Sequence, residues 1–137
     1  MTGTPVTESL RRWARGVYPI EAAVELLIRA HGGRFAREGW PWIEPREDRF
    51  VLVAEQITED SIGVLSGGER RILRVVASLA GGCPTNLYED VAGLDRGSLD
   101  LVLAAIAHAG GSHEDRATGS PTELAGSLHP WPQENRR

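Results

Sequence analysis

Apolar side chains recur at intervals of three and four residues through most of the first 109 positions of this 137-residue chain, the spacing that places one face of a helix against a core. The clearest run covers residues 20–31. Ile20, Ala23, Val24, Leu27 and Ala30 or His31 fall on one side, and Glu21, Glu25 and Arg29 on the other. Glu25 and Arg29 stand in the favourable i,i+4 order, Pro19 suits the first turn, and Gly32-Gly33 supplies the stop. Ahead of this run, Thr7 is placed to cap a helix over residues 7–17, with Leu10, Trp13 and Val17 on one side. A third helix follows Ser66, its stripe made by Ile72, Val76 and Leu79, widened by Leu73 and Val75 and ended by Gly81-Gly82. Thr85 is positioned to cap a short helix over residues 85–92. Asp95 caps the last helix, in which Leu99, Val102, Leu103 and Ile106 form a stripe before Gly110-Gly111.

Between these helices the pattern weakens. Trp40-Pro41-Trp42 and Pro45 interrupt residues 34–45, which read as a connection whose tryptophans fold back on the core. Residues 46–57 suit two states. Phe50, Ala54 and Ile57 have helical spacing, Phe50-Val51-Leu52-Val53 would suit a strand, and the polar residues around them favour helix. From residue 110 onward Gly, Ser, Thr, Pro and His dominate, leaving Leu124, Leu128 and Trp131 as residues able to dock. The expectation is an all-α fold: a compact bundle of about five helices over residues 7–109, a flexible leader over 1–6 and a flexible tail over 110–137.

Composition narrows the chemistry. The apolar fraction of 41% and charged fraction of 25% are ordinary for one globular domain. No apolar run approaches the roughly 18 residues of a membrane span, and the polar start lacks the blocks of a signal peptide, so the expected location is cytoplasmic. Cys83 is the only cysteine, which excludes an internal disulfide and cysteine zinc clusters; beside Gly82 and Pro84 it reads as a half-buried structural residue in a turn. All fifteen basic residues are arginine. Schiff-base chemistry, lysine general bases and the phosphate-gripping lysine of a P-loop are therefore absent. A net charge of −4 weighs against a strongly nucleic-acid-binding domain.

Leu65-Ser66-Gly67-Gly68-Glu69 resembles the signature motif of ABC-type ATPases. That resemblance implies that serine and glycine amides at a helix start contact the terminal phosphate of a nucleotide across a dimer. Leu87-Tyr88-Glu89-Asp90 and Gly93-Leu94-Asp95 are similarly reminiscent of the family's Walker B and D-loop, with Glu89 on the catalytic glutamate. In that register the magnesium-binding aspartate becomes Tyr88, and residues 83–86 are not an apolar strand. No Gly-x-x-x-x-Gly-Lys-Ser/Thr is present, so the chain is not an autonomous ATPase. Ser66 and Glu69 have the spacing of a capping box, a device that contributes about 1 kcal/mol to a helix start without any ligand. Ser66, Gly67 and Gly68 are kept as a remote anion-binding alternative. A longer likeness runs through residues 19–28, the Leu65–Arg71 stretch, 77–82, 93–95 and 105–109, and resembles a group of small actinobacterial helical proteins. It implies a stand-alone helical domain and no activity.

Arg70, Arg71 and Arg74 cluster on the helix after Ser66, and with the following turn and helix they suggest a DNA-binding face. The connection over 81–85 fits a tight turn poorly, and Glu89 and Asp90 stand where phosphate contacts would be wanted. Nucleic acid is thus the second choice of partner. His108, His113, Glu114 and Asp115 lack the rigid i,i+4 spacing of helical ligands and read as solvent-exposed, so neither metal nor cofactor is expected. With no nucleophile elbow, HExxH or dinucleotide loop, the chain reads as a non-enzyme. The expected function is that of an adaptor or regulatory domain binding another protein, with Trp40 and Trp42 as anchors.

Overall fold

Six α-helices and one β-hairpin organise the part of the chain that the structure, a computed structural model, describes: residues 5–114 and 128–133. The helices are α1 (Val6–Ala14), α2 (Tyr18–Arg29), α3 (Glu59–Ile62), α4 (Gly67–Gly81), α5 (Leu87–Asp90) and α6 (Arg96–Ala109). The strands β1 (Ile43–Arg46) and β2 (Arg49–Leu52) pair antiparallel, with Ile43 opposite Leu52 and Arg46 opposite Arg49. The chain is mostly helical, with a small sheet.

The core is built around α2, which packs against both α4 and α6. From α2 it takes Ala22, Ala23, Val24, Leu26 and Leu27, and from α4 Ile72, Leu73, Val75 and Val76. Burial of branched side chains at about 25 cal/mol per Å² drives this assembly. α6 contributes mainly small residues, Val102, Ala104 and Ala105, which suit a close helix–helix approach. α1 closes the core through Leu10 and Ala14 and rests on β2. There the buried Ser9 hydroxyl accepts the Phe50 amide at 2.8 Å, satisfying an edge-strand donor.

The hairpin replaces the helix expected over residues 46–57 and corrects the all-α expectation. Glu47 has φ +58, and a positive φ at the start of a two-residue loop matches the twist of the paired strands. The ladder continues where the Val53 amide donates to the Trp42 carbonyl at 2.9 Å. Ala54–Gln56 then form a single 3-10 turn.

Several helix ends also differ from expectation. α1 begins after Pro5, so Thr7 lies inside it; it stops at Ala14 because Gly16, at φ +101, turns the chain. Val17 is consequently exposed. α3 lies outside every predicted helix, although Thr58 and Ser61 form a reciprocal capping box at its start. Asn86, not Thr85, caps α5. The Ser66 and Asp95 caps stand as expected, and Gly82 ends α4 in the left-handed region at φ +74.

Of the residues expected to form the tail, Trp131 packs on the core, while Leu128 is exposed. Leu124 and Asp115 lie outside the described residues.

Candidate functional site

Trp40 and Trp42 lie on either side of the turn at Pro41, their rings stacked at 5.1 Å and 9°. Their environments diverge. Trp42 is 0% exposed, and its indole N–H donates to the Phe35 carbonyl at 2.9 Å. It is a core residue and offers no surface to a partner, which corrects its expected role. The reason is β1, which begins at Ile43 and carries the preceding ring inward. Trp40 is half-buried and donates to the Arg34 carbonyl at 2.9 Å, while the Arg34 guanidinium lies 5.8 Å from its ring.

Arg70, Arg71 and Arg74 are all half-buried and bonded within the chain. Arg70 donates to the Leu65 carbonyl at 2.8 Å, and Arg71 to the Glu89 carbonyl at 3.2 Å. Arg74 donates twice to Glu59, at 3.0 and 2.8 Å, and once to the buried Asp90 at 3.2 Å. The Thr85 hydroxyl completes the set, donating to Asp90 at 2.8 Å. Arg71 and Arg74 join α4 to α5 and α3, while Arg70 closes on the turn ahead of α4, so each guanidinium is engaged within the chain.

The helix start at Ser66 carries its own anion. Ser66 Oγ accepts the Glu69 amide at 3.2 Å, and the Glu69 carboxylate accepts the Ser66 amide at 3.0 Å and an Arg34 N–H at 2.7 Å. The Ser66 amide and Arg34 hold the Glu69 pKa below the usual carboxylate range despite some desolvation. A second anion at Ser66, Gly67 and Gly68 would meet that ionised group. The segment resembling Walker B is the short helix α5, with Tyr88 exposed.

Two features of α6 stand out among the described residues. The first is the outer face of α6. Leu99, Val102, Leu103 and Ile106 form the stripe marked by periodicity, but of these only Val102 is buried. Leu103 and Ile106 are 44% and 50% exposed, and Leu99 is half-buried. The helix instead turns its alanines inward.

The second is a polar cluster at the other end of α6. His108 Nε2 lies 2.7 Å from Glu21 Oε1 on α2, and the His113 ring stacks on His108 at 3.8 Å and 1°. Glu21 is fixed from its other oxygen, where Oε2 accepts the Gly16 amide at 2.8 Å. Burial opposes ionisation of Glu21, but the Gly16 amide, His108 and His113 outweigh it and hold its pKa below the ordinary value. Tyr18 sets its edge against His113, with centroids 4.5 Å apart, and Trp131 lies 6.2 Å from His108. A cavity of about 170 Å³ adjoins Glu21 and His108 and is also lined by Arg11 and Arg15.

His108 is therefore half-buried, correcting the expectation of exposed polar residues, and its partner is Glu21. Glu21 was legible only as part of a helix's polar face; nothing in the spacing joins residues 87 positions apart.

A larger open groove of about 950 Å³ lies between the end of α2, the start of α6 and Trp131. Its Arg29 is engaged by Glu25 at 2.9 Å and by the Pro132 carbonyl at 3.2 Å. No helix among the described residues is long and apolar enough to cross a membrane. No protein-family model, curated protein or solved structure matches this chain.

Proposed function

We propose that this chain is a non-catalytic, cytoplasmic protein-interaction domain that seats an amphipathic helix of another protein on the outer face of α6. The observation that carries the reading is the exposure of Leu103 and Ile106 on a helix whose interior face is already filled. With Leu99 these residues are spaced four and then three apart, the seam spacing by which one helix packs along another. Arg96 borders the seam and gives it a positive charge with which to orient a partner. Val64, Leu87 and Tyr88 are also exposed, but Leu103 and Ile106 lie on one long helix as a continuous stripe, which supports an interaction role. The proposed surface is α6, in place of the tryptophan pair.

Affinity capture with the wild-type chain and with Leu103→Asp/Ile106→Asp, followed by reconstitution with the purified captured protein, tests the reading. The expected result is a stoichiometric complex that the double variant weakens at least tenfold, about 1.4 kcal/mol. Equal binding by the variant, or no stoichiometric complex, overturns the proposed surface. Concentration-dependent dimers of the chain alone, lost in the variant, would make a second copy the occupant.

A further inference from the structure

We propose that Glu21, His108 and His113 form a binding site for a divalent transition-metal ion, with Zn²⁺ as the type ion. The three side chains come from α2, α6 and the 3-10 turn Ser112–Glu114, and one ligand atom from each lies within 4.8 Å of the others. Two imidazoles and a carboxylate are the donor set of borderline ions such as Zn²⁺, Co²⁺ and Ni²⁺, and they disfavour the all-oxygen shells of Ca²⁺ and Mg²⁺.

The arrangement is prepared on two of its three sides. Glu21 Oε1 and His108 Nε2 share a hydrogen bond at 2.7 Å, and replacing its proton by an ion bonded to each at about 2.0–2.1 Å asks them to part by only about 0.6 Å. The Gly16 amide fixes the opposite oxygen of Glu21, an outer contact of the kind that orients ligating carboxylates. Gly16 reaches that position at φ +101, so the turn between α1 and α2 aims the carboxylate.

His113 completes the set by a rotation of its exposed side chain. Its ring lies parallel to His108 at 3.8 Å, and because imidazole lone pairs lie in the ring plane, His113 turns out of this stack to share an ion with His108. Tyr18 and Trp131 flank the cluster, and the cavity of about 170 Å³ reaches Glu21 and His108. This inference is independent of the proposed helix-binding face.

Tag-free protein titrated with Co²⁺, followed by the visible bands of the bound ion and by displacement with Zn²⁺, tests the site. One equivalent is expected to bind saturably. His113→Ala, an exposed change that spares the core, is expected to weaken binding more than about tenfold, since even outer partners of such ligands cost 10–100-fold. Glu21→Gln is expected to do the same, whereas His129→Ala leaves affinity unchanged. No saturable one-to-one uptake, uptake indifferent to His113→Ala, or uptake lost in His129→Ala would overturn the assignment.

Discussion

An indole N–H buried among apolar groups must find an acceptor, and Trp42 finds the Phe35 carbonyl. Replacing Trp42 with alanine removes both the bond and one of the largest buried side chains, so urea unfolding is expected to show a loss of about 3–5 kcal/mol. Trp42→Phe keeps part of the shape but strands the carbonyl, and a loss of about 1–3 kcal/mol is expected. Composition could not separate Trp42 from Trp40, because the two indoles differ in exposure only through the hairpin that begins at Ile43. Glu25 belongs to the same scale. Burial opposes its ionisation, yet hydrogen bonds from Arg11, at 2.6 Å, and Arg29 outweigh that effect and lower its pKa from 4.5. A carboxylate with a lower pKa in the folded chain contributes stability that is complete above its unfolded pKa and disappears as pH falls through the folded value. Thermal melts on the acid side of pH 4.5 should therefore fall with pH, and Glu25→Gln should flatten that slope.

At the scale of elements, what the sequence disclosed was what depends on near neighbours. The Ser66 and Asp95 caps, the Gly82 stop and the core faces of α2 and α4 each follow from residues a few positions apart. Ser66→Ala is expected to cost about 1 kcal/mol in equilibrium unfolding, with Glu69 losing its reciprocal partner. The hairpin escaped because strand pairing is settled across chains of residues, and its helical spacing of Phe50, Ala54 and Ile57 competed with its strand run. α6 escaped differently. Apolar residues occupy nearly every side of it from Leu99 to Ala107, so periodicity located a stripe without saying which side faces α2. Its alanines won the interior because they let the two helices approach closely.

For the whole molecule, the Glu59–Arg74–Asp90 set ties α3, α4 and α5 together. Asp90 is 3% exposed, so Arg74→Ala leaves a buried carboxylate with Thr85 as its remaining side-chain donor among the described contacts. The expected loss is roughly 3 kcal/mol, read by chemical denaturation, with Arg74→Ala/Asp90→Asn recovering part of it. The Glu21–His108–His113 cluster is likewise a property of assembled helices, which is why His108 and His113, taken along the chain with Glu114 and Asp115, read as solvent-exposed.

Arg29 reaches across the molecule to the Pro132 carbonyl and lies 4.9 Å from the Trp131 ring, joining positions 103 residues apart, while His129 meets Asp100 at 2.7 Å. Among the described residues of this segment Trp131 is the side chain packed on the core, far less apolar contact than α2, α4 and α6 share. In the order of assembly, residues 128–133 should consequently dock after α2, α4 and α6 have met, and undock before them. Amide exchange should register this sequence directly: the Leu128 N–H, bonded to Ser112 Oγ at 3.3 Å, is expected to exchange far faster than the amides of α2 and α4. Comparable protection in both would mean that the C-terminal strap opens only when the whole chain does.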